Sequence, residues 1–439
     1  PPPPPPVPRT LLGRIGDDFV GDSTSDGLGY RVALSADGTV LAMLYIGHPY
    51  YLGMVRVYAW DHATTAWVQR GADIHGTQNS LHVSDRGLAL SHDGTIMAMG
   101  HTASGSGNTD HKTRVFQWTN GAWVKMGTDI PGASTGNYEG ASVALSGNGL
   151  ILATGAPYHG DGAHAGTGNA LYRGHVRVWT WDGVAETWTQ RGADVDGEAP
   201  SDEFGFAVAL SDRGDVLAAG ATENDDGGAN AGHVRVWDWS GTAWVPRGSD
   251  IDGEATQDYS GRGLGLSGDG SVLAIGAKYN DGSVSNGGHV RVYGWDAVAN
   301  EWERRGQDID GELTGAYAGH TLALSNDGMV LAVGEHRHGY EVDVGFVGRV
   351  RVFTWHHDIE AWVQSGAPIN DSPGASITYF GDALALDADG SVLAIGAYAA
   401  SSGRGLVRVY GGFDALSPPS PPPPPSPPPA PPHDPPSPS

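Results

Sequence analysis

The chain has 439 residues, no cysteine, and 50 acidic against 25 basic residues, a formal net charge of −25. That balance argues against nucleic acid or an anionic membrane surface as a partner. No apolar run approaches the roughly 20 residues of a membrane-spanning helix, and thiol chemistry and disulfide bonding are excluded.

The first segment, residues 1–9, holds seven of the 29 prolines. Fixed φ and missing amide donors make such a run an extended polyproline II rod. The chain starts inside this run, as a trimmed form would, so the lack of a leader is not read as cytosolic.

Residues 10–416 are dominated by an internal repeat. A motif of the form Ala-Leu-Ser-x-x-Gly centres on Ser35, Ser91, Ser146, Ser211, Ser267, Ser325 and Asp387, at spacings of about 55–65 residues. A β-rich unit of that length suits one four-stranded propeller blade. The fourth copy shows the pattern. Phe204–Ser211, Val216–Ala221, Gly232–Trp239 and Thr242–Gly248 alternate or run apolar between turn residues, which is the strand signature. Asp-Gly turns such as Asp37-Gly38 and Asp269-Gly270 mark tight hairpins. The small-residue first strand is placed innermost. The fourth strand, carrying Trp67, Trp123, Trp188, Trp244, Trp302 or Trp362, is placed outermost, where the wedge between blades widens. The seventh unit lacks a fourth strand. Leu12–Gly21 aligns with Trp67–Gly76 and is expected to supply it, closing the ring without an exposed edge. The expected fold is therefore an all-β, seven-bladed β-propeller of four antiparallel strands per blade, with polyproline II segments at both ends.

The repeat resembles the FG-GAP propeller class known from the integrin α-chain head. Phe204-Gly205 and Phe380-Gly381 match its first half. Gly155-Ala156-Pro157 matches the second, with Gly220-Ala221, Gly276-Ala277 and Gly396-Ala397 as partial copies. Calcium-binding members of that class insert an Asp-rich loop between the first two strands; here that hairpin is cut to Ser-x-Asp-Gly, too short to supply such a site.

An arginine recurs in each third strand: Arg56, Arg114, Arg177, Arg235, Arg291, Arg351 and Arg408. Asp18, Asp73, Asp129, Asp194, Asp250 and Asp308 follow the fourth strands. Seven-fold recurrence suits a structural Arg–Asp pair better than a ring of ligand-binding cations. His175, His233 and His289 precede three of these arginines, but equivalent positions on neighbouring blades lie too far apart to share one zinc ion. The acidic loops Asp194/Asp196/Glu198, Asp250/Asp252/Glu254 and Asp308/Asp310/Glu312 are the best metal candidates. Alternating hard oxygens suit calcium, and the same pattern also suits an acidic turn between blades. The insertion Tyr158–Arg173, with His159, Asp161 and His164, is read as a tolerated loop. No His-Glu-x-x-His or phosphate loop occurs.

Residues 417–439 form a Ser/Pro-rich tail that holds fifteen prolines. Its blocks resemble the hydroxyproline-rich glycoproteins of algal and plant walls and of algal flagellar hairs. That resemblance implies secretion and O-glycans on hydroxyproline or serine, with Pro2, Pro3, Pro4, Pro5, Pro419, Pro422, Pro423, Pro424 and Pro428 as candidate positions. Asn370 heads the one N-glycosylation sequon. The reading that follows is an extracellular structural glycoprotein at a cell wall, cell surface or flagellar surface. It would not be an enzyme, and it would assemble with copies of itself, with other extracellular glycoproteins or with polysaccharide. The rivals are an adhesion or lectin-like propeller on a proline stalk, and a polysaccharide-active enzyme with two facing carboxylates at the channel mouth.

Overall fold

A computed structural model describes residues 13–47, 53–76, 81–103, 111–133, 138–160, 172–339, 347–371 and 377–411. Both proline-rich segments, with every candidate O-glycan position, and loop residues Asp161 and His164 lie outside that set. The described chain is almost entirely β, a propeller-like arrangement of antiparallel sheets with a single four-residue helical turn at Ala400–Gly403. No helix among the described residues is long and apolar enough to cross a membrane.

Each repeat forms a four-stranded meander. In the fourth, Phe204–Leu210 pairs with Val216–Ala221, that strand with His233–Trp239, and the last with Trp244–Pro246. The outer strand is split, its second piece Ile251–Asp252 returning to the start of the third strand. Other repeats follow the same order, two of them joined by a parallel pairing of Arg86 with Ser142. Gly13–Arg14 and Phe19–Val20 pair with Leu406–Gly411, so the N-terminal strand completes the last sheet as its alignment implies.

The innermost strands touch in sequence order, and the strand at Ala383–Leu386 returns to that at Leu28–Leu34. At the hairpin end they are laced by backbone hydrogen bonds. Ala36 N–H donates to His92 O, His92 to Gly147, Gly147 to Asp212, Asp212 to Gly268, Gly268 to Asn326, Asn326 to Ala388, and Ala388 back to Ala36. In this circuit each unit's amide is satisfied by the next unit's carbonyl. The turn residues serve it. Ser35 Oγ donates to Asp37 Oδ1 at 2.6 Å and accepts from Val40 N at 2.9 Å, closing the hairpin.

The apolar core lies between units. Val272, Ala274, Val290 and Val292 of one sheet pack on Leu331, Val333, Phe353 and Trp355 of the next. At the closure, Val392, Ala394, Val407 and Val409 pack on Leu41, Met43, Tyr45 and Met54. Outside this core the outer-strand tryptophans latch neighbours. Trp67, Trp123, Trp188, Trp244, Trp302 and Trp362 each donate Nε1–H to a backbone carbonyl of the preceding unit, at Ile15, Arg70, Met126, Arg191, Arg247 and Arg305, over 2.9–3.1 Å. The residue after that carbonyl is glycine. Gly248, at φ 73°, would place a Cβ 2.9 Å from Trp295 Cζ3, so both backbone conformation and space require glycine there.

Candidate functional site

One position departs from the repeat. Five residues before the motif serine, or Asp387, stand Tyr30, Arg86, Ala141, Phe206, Arg262, His320 and Asp382. There the inner ladder is interrupted. Units one, two and four carry register shifts at Leu28/Arg31, Val83/Leu88 and Phe204/Ala207. In units three, five, six and seven the strand starts only after this residue. In every unit but the second, where Asp85 stands, a preceding glycine makes the departure possible. Gly205 and Gly381 have φ 88° and 90°, and a Cβ would meet a neighbouring backbone carbonyl at 2.6 and 2.9 Å. The phenylalanine-glycine pairs thus aim the next side chain at the axis, opposite the hairpin circuit.

These residues line two adjoining cavities at the mouth. The first, about 230 Å³, is lined by Arg31, Arg86, Arg262, Lys278 and Arg337, by His320, His336 and Asp382, and by tyrosines. Five cations stand against one carboxylate, in a chain of net charge −25. The second, about 580 Å³, shares Tyr30, Arg86 and Arg262 with it and adds Tyr138, Tyr158 and Phe206. Beneath them the channel narrows between the inner strands.

The polar groups are ordered. Arg262 Nε–H donates to His320 Nδ1 at 3.2 Å, which leaves the His320 proton on Nε2, 3.3 Å from Asp382 Oδ1. His336 stacks on His320 at 4.1 Å. Burial, reinforced by Arg262 for His320 and by His320 for His336, holds both imidazoles neutral at pH 7. Phe206 carries Arg86 on one contact and Arg262 on another, at 4.5 and 4.8 Å. Lys278 Nζ lies 4.3 Å from the Tyr279 ring centroid. Burial, then the charges of Arg262, Arg86 and Arg337, push this amine down to about 7.

A belt of rings surrounds the cations. Tyr259–Tyr279–Tyr317 and Tyr379–Tyr398–Tyr30 are linked at 5.0–5.4 Å, and His336 lies between them, 5.8 Å from Tyr317 and 5.9 Å from Tyr379. Tyr138, Tyr259, Tyr317 and Tyr379 hold φ between 53° and 59°. Backbone strain of about 1–3 kcal/mol per residue is tolerated only where surrounding structure enforces it, and here it keeps the rings at the mouth.

The sequence-selected residues lie elsewhere. Arg56, Arg235, Arg291 and Arg408 pair with Asp73, Asp250, Asp308 and Asp18. Arg114 binds His101, Arg177 binds the fully buried Glu139, and Arg351 binds Glu335. The acidic loops are divided between neighbours. Glu198 and Asp250 flank Arg235, Glu254 reaches Arg291, and Glu312 reaches Arg349 and Arg351. Asp194 and Asp196 gather at His175. Asp310 contributes its carbonyl to Arg351. Each such cluster within reach offers three ligand atoms, against six to eight oxygens for calcium. His175, His233 and His289 sit in separate clusters. His320, His336 and Asp382 are also close enough to share a metal, but the five cations around them oppose a divalent ion. Asn370 is exposed at a strand end. Asp382 is the one carboxylate lining either mouth cavity, so among the described residues the facing pair a two-carboxylate glycosidase requires does not line the site.

No family model and no curated protein matches the chain. Solved structures do. The hydrazine synthase of Kuenenia stuttgartiensis is 13% identical, covering 89% of this chain and 97% of its own, at a TM-score of 0.53. A Bacteroides uniformis protein provisionally described as a 6-phosphogluconolactonase is 10% identical over 78% of this chain and 85% of its own, at 0.51. The periplasmic gluconolactonase PpgL of Pseudomonas aeruginosa is 14% identical over 77% and 84%, at 0.49. At such identities the likeness carries the propeller-like fold.

These findings correct the expectation of a structural fibre subunit without enzymatic activity. The two solved structures with TM-scores above 0.5 are described as enzymes. The mouth holds a charged cavity. Neither the FG-GAP assignment nor the hydroxyproline-rich resemblance gains support from the comparisons.

Proposed function

We propose that this chain is a single closed seven-bladed propeller enzyme that hydrolyses a lactone or related ester of a sugar acid at its axial mouth, outside the cytoplasm. The convergence of five basic side chains, the near-neutral Lys278 among them, and a belt of tyrosines in a strongly acidic chain carries the reading. The seven-membered hydrogen-bond circuit supports the ring. The lactonase descriptions of similarly folded proteins suggest the reaction class.

Lys278 serves as the general base. Neutral at slightly alkaline pH, its Nζ takes a proton from water as the oxygen attacks the lactone carbonyl. Negative charge then gathers on the carbonyl oxygen, where Arg262 and Arg86 stabilise it. Collapse breaks the ring ester bond. The leaving alkoxide takes the proton from the Lys278 ammonium, the new carboxylic acid releases its remaining proton to solvent, and the resulting carboxylate stays beside the arginines until release. Asp382 and His320 are positioning residues: the Asp382–His320–Arg262 chain fixes the guanidinium. The tyrosine belt offers flat faces to sugar rings, and the charged and polar side chains that converge on the cavity can fix the orientation of a polar substrate.

The test is hydrolysis of D-glucono-1,5-lactone and its 6-phosphate, followed by base uptake and corrected for spontaneous opening. Acceleration is expected with the wild type, and a loss of about 100-fold or more in Arg262→Ala. Equal rates with and without protein for both lactones would reject this reaction class.

A further inference from the structure

His233 is fully buried, and neither ring nitrogen has a hydrogen-bond partner. It is neutral, its proton affinity lowered chiefly by burial. A buried imidazole with two idle nitrogens is an unsatisfied polar group, and leaving one unpaired costs about 1–3 kcal/mol. Two carboxylates face it. Asp252 Oδ1 lies 3.9 Å from His233 Nδ1. Asp226, from the loop between the second and third strands of the same unit, completes a set whose ligand atoms all lie within 4.8 Å of one another. Among the described residues, no arginine or lysine pairs with Asp226 or Asp252. By contrast the neighbouring pair Glu198 and Asp250 is held by Arg235. Burial pushes the Asp252 carboxyl up, and Asp226 adds to that shift. The loop is braced to present Asp226: Asn224 Oδ1 accepts from the Asp226 amide at 2.9 Å, and Asn224 Nδ2 reaches Asp202 at 3.3 Å.

We propose that His233, Asp226 and Asp252 form a binding site for a first-row divalent transition ion such as Zn²⁺. One imidazole nitrogen and two carboxylate oxygens, with water in the fourth position, match zinc's ligand preference. The nitrogen and the small ligand count disfavour calcium. The ion replaces the missing partner of His233, cancels the repulsion of the two aspartates, and ties the Asp226 loop to the outer strand. Asp226 and Asp252 are exposed, which leaves an entry path.

The next unit provides an internal comparison. His289, Asp310, Asn280 and Asp258 stand where unit four has His233, Asp252, Asn224 and Asp202, and Asn280 braces its loop in the same way. The position of Asp226 is taken by Gly282. The His289 cluster draws its acids instead from Glu254 and Asp308, and both of those are engaged by Arg291. The site therefore belongs to unit four, and glycine at position 226 is compatible with the fold.

The experiment is calorimetric titration of the chelator-treated full chain with Zn²⁺, alongside Co²⁺ absorption and Ca²⁺ as a control. The wild type is expected to bind one Zn²⁺ that Asp226→Gly loses by at least 100-fold. Co²⁺ should give the intense visible bands of a four-coordinate ion, and Ca²⁺ should not compete. The Asp226→Gly protein should melt at the wild-type temperature without metal, and zinc should raise the melting temperature of the wild type alone. Absence of zinc binding to the folded wild type, or equal binding by Asp226→Gly, would overturn the proposal.

Discussion

Lys278 owes its predicted reactivity to company rather than to sequence context. A lysine beside three arginines, largely shielded from water, binds its proton weakly enough to release it near pH 7. The rate should therefore rise with pH through about 7 as the amine becomes neutral, and Lys278→Met should flatten that rise. A second residue argument concerns Asp387, which replaces the motif serine. Five of the six motif serines donate to an aspartate of their hairpin, and Ser146 donates to Asn148; here two carboxylates, Asp387 and Asp389, face each other. Burial first, and then Asp389, raise Asp387 to about 6. A carboxyl raised on folding binds more protons in the native state, so its ionisation lowers stability as pH rises from the unfolded value near 4 to about 6, and the penalty is complete above that. Asp387→Ser restores the bond that Ser35 makes to Asp37. It should raise the melting temperature at pH 7.5, by about 1–2 kcal/mol of stability, and by less at pH 5.

The strand units depend on pairs formed across their boundaries. Trp302→Phe keeps most of the packing but removes the bond to the Arg247 carbonyl, and is expected to cost about 1 kcal/mol in denaturant unfolding. Gly248→Ala meets Trp295 and a left-handed φ together, for which about 1–3 kcal/mol is expected. These elements were largely legible from sequence. Alternation gave the strands, Asp-Gly the hairpins, and the recurring Trp the latch between units. The split in the outer strand was not, because Gly71 and Gly248 read as ordinary turn residues. Their positive φ follows from the neighbouring unit's tryptophan, which local pattern does not reveal.

At the scale of the molecule, closure and the site share one origin. The N-terminal strand pairs with Leu406–Gly411, and Arg408 bonds Asp18 and Asp371 across the seam. Deleting residues 1–20 should expose that edge, lower the melting temperature and broaden the transition. One residue of each unit, from Tyr30 to Asp382, reaches the mouth at the same repeat position. Attention to what recurs leads to arginines and acidic loops that hold the scaffold. The proposed chemistry sits where recurrence fails, at Arg86, Arg262, His320 and Asp382, and that break in the pattern was the available signal. Lys278 and His336 carry no such mark, since only the ring brings them beside those residues.

The measurement that bears most directly on the enzyme reading is the pH dependence of kcat/KM for sugar-acid lactone hydrolysis, in wild type and Lys278→Met. A wild-type profile rising to a plateau with its midpoint near pH 7, and a variant slower by about 100-fold or more without that rise, is the predicted result. Undiminished activity in Lys278→Met, or no wild-type acceleration at any pH, would contradict it.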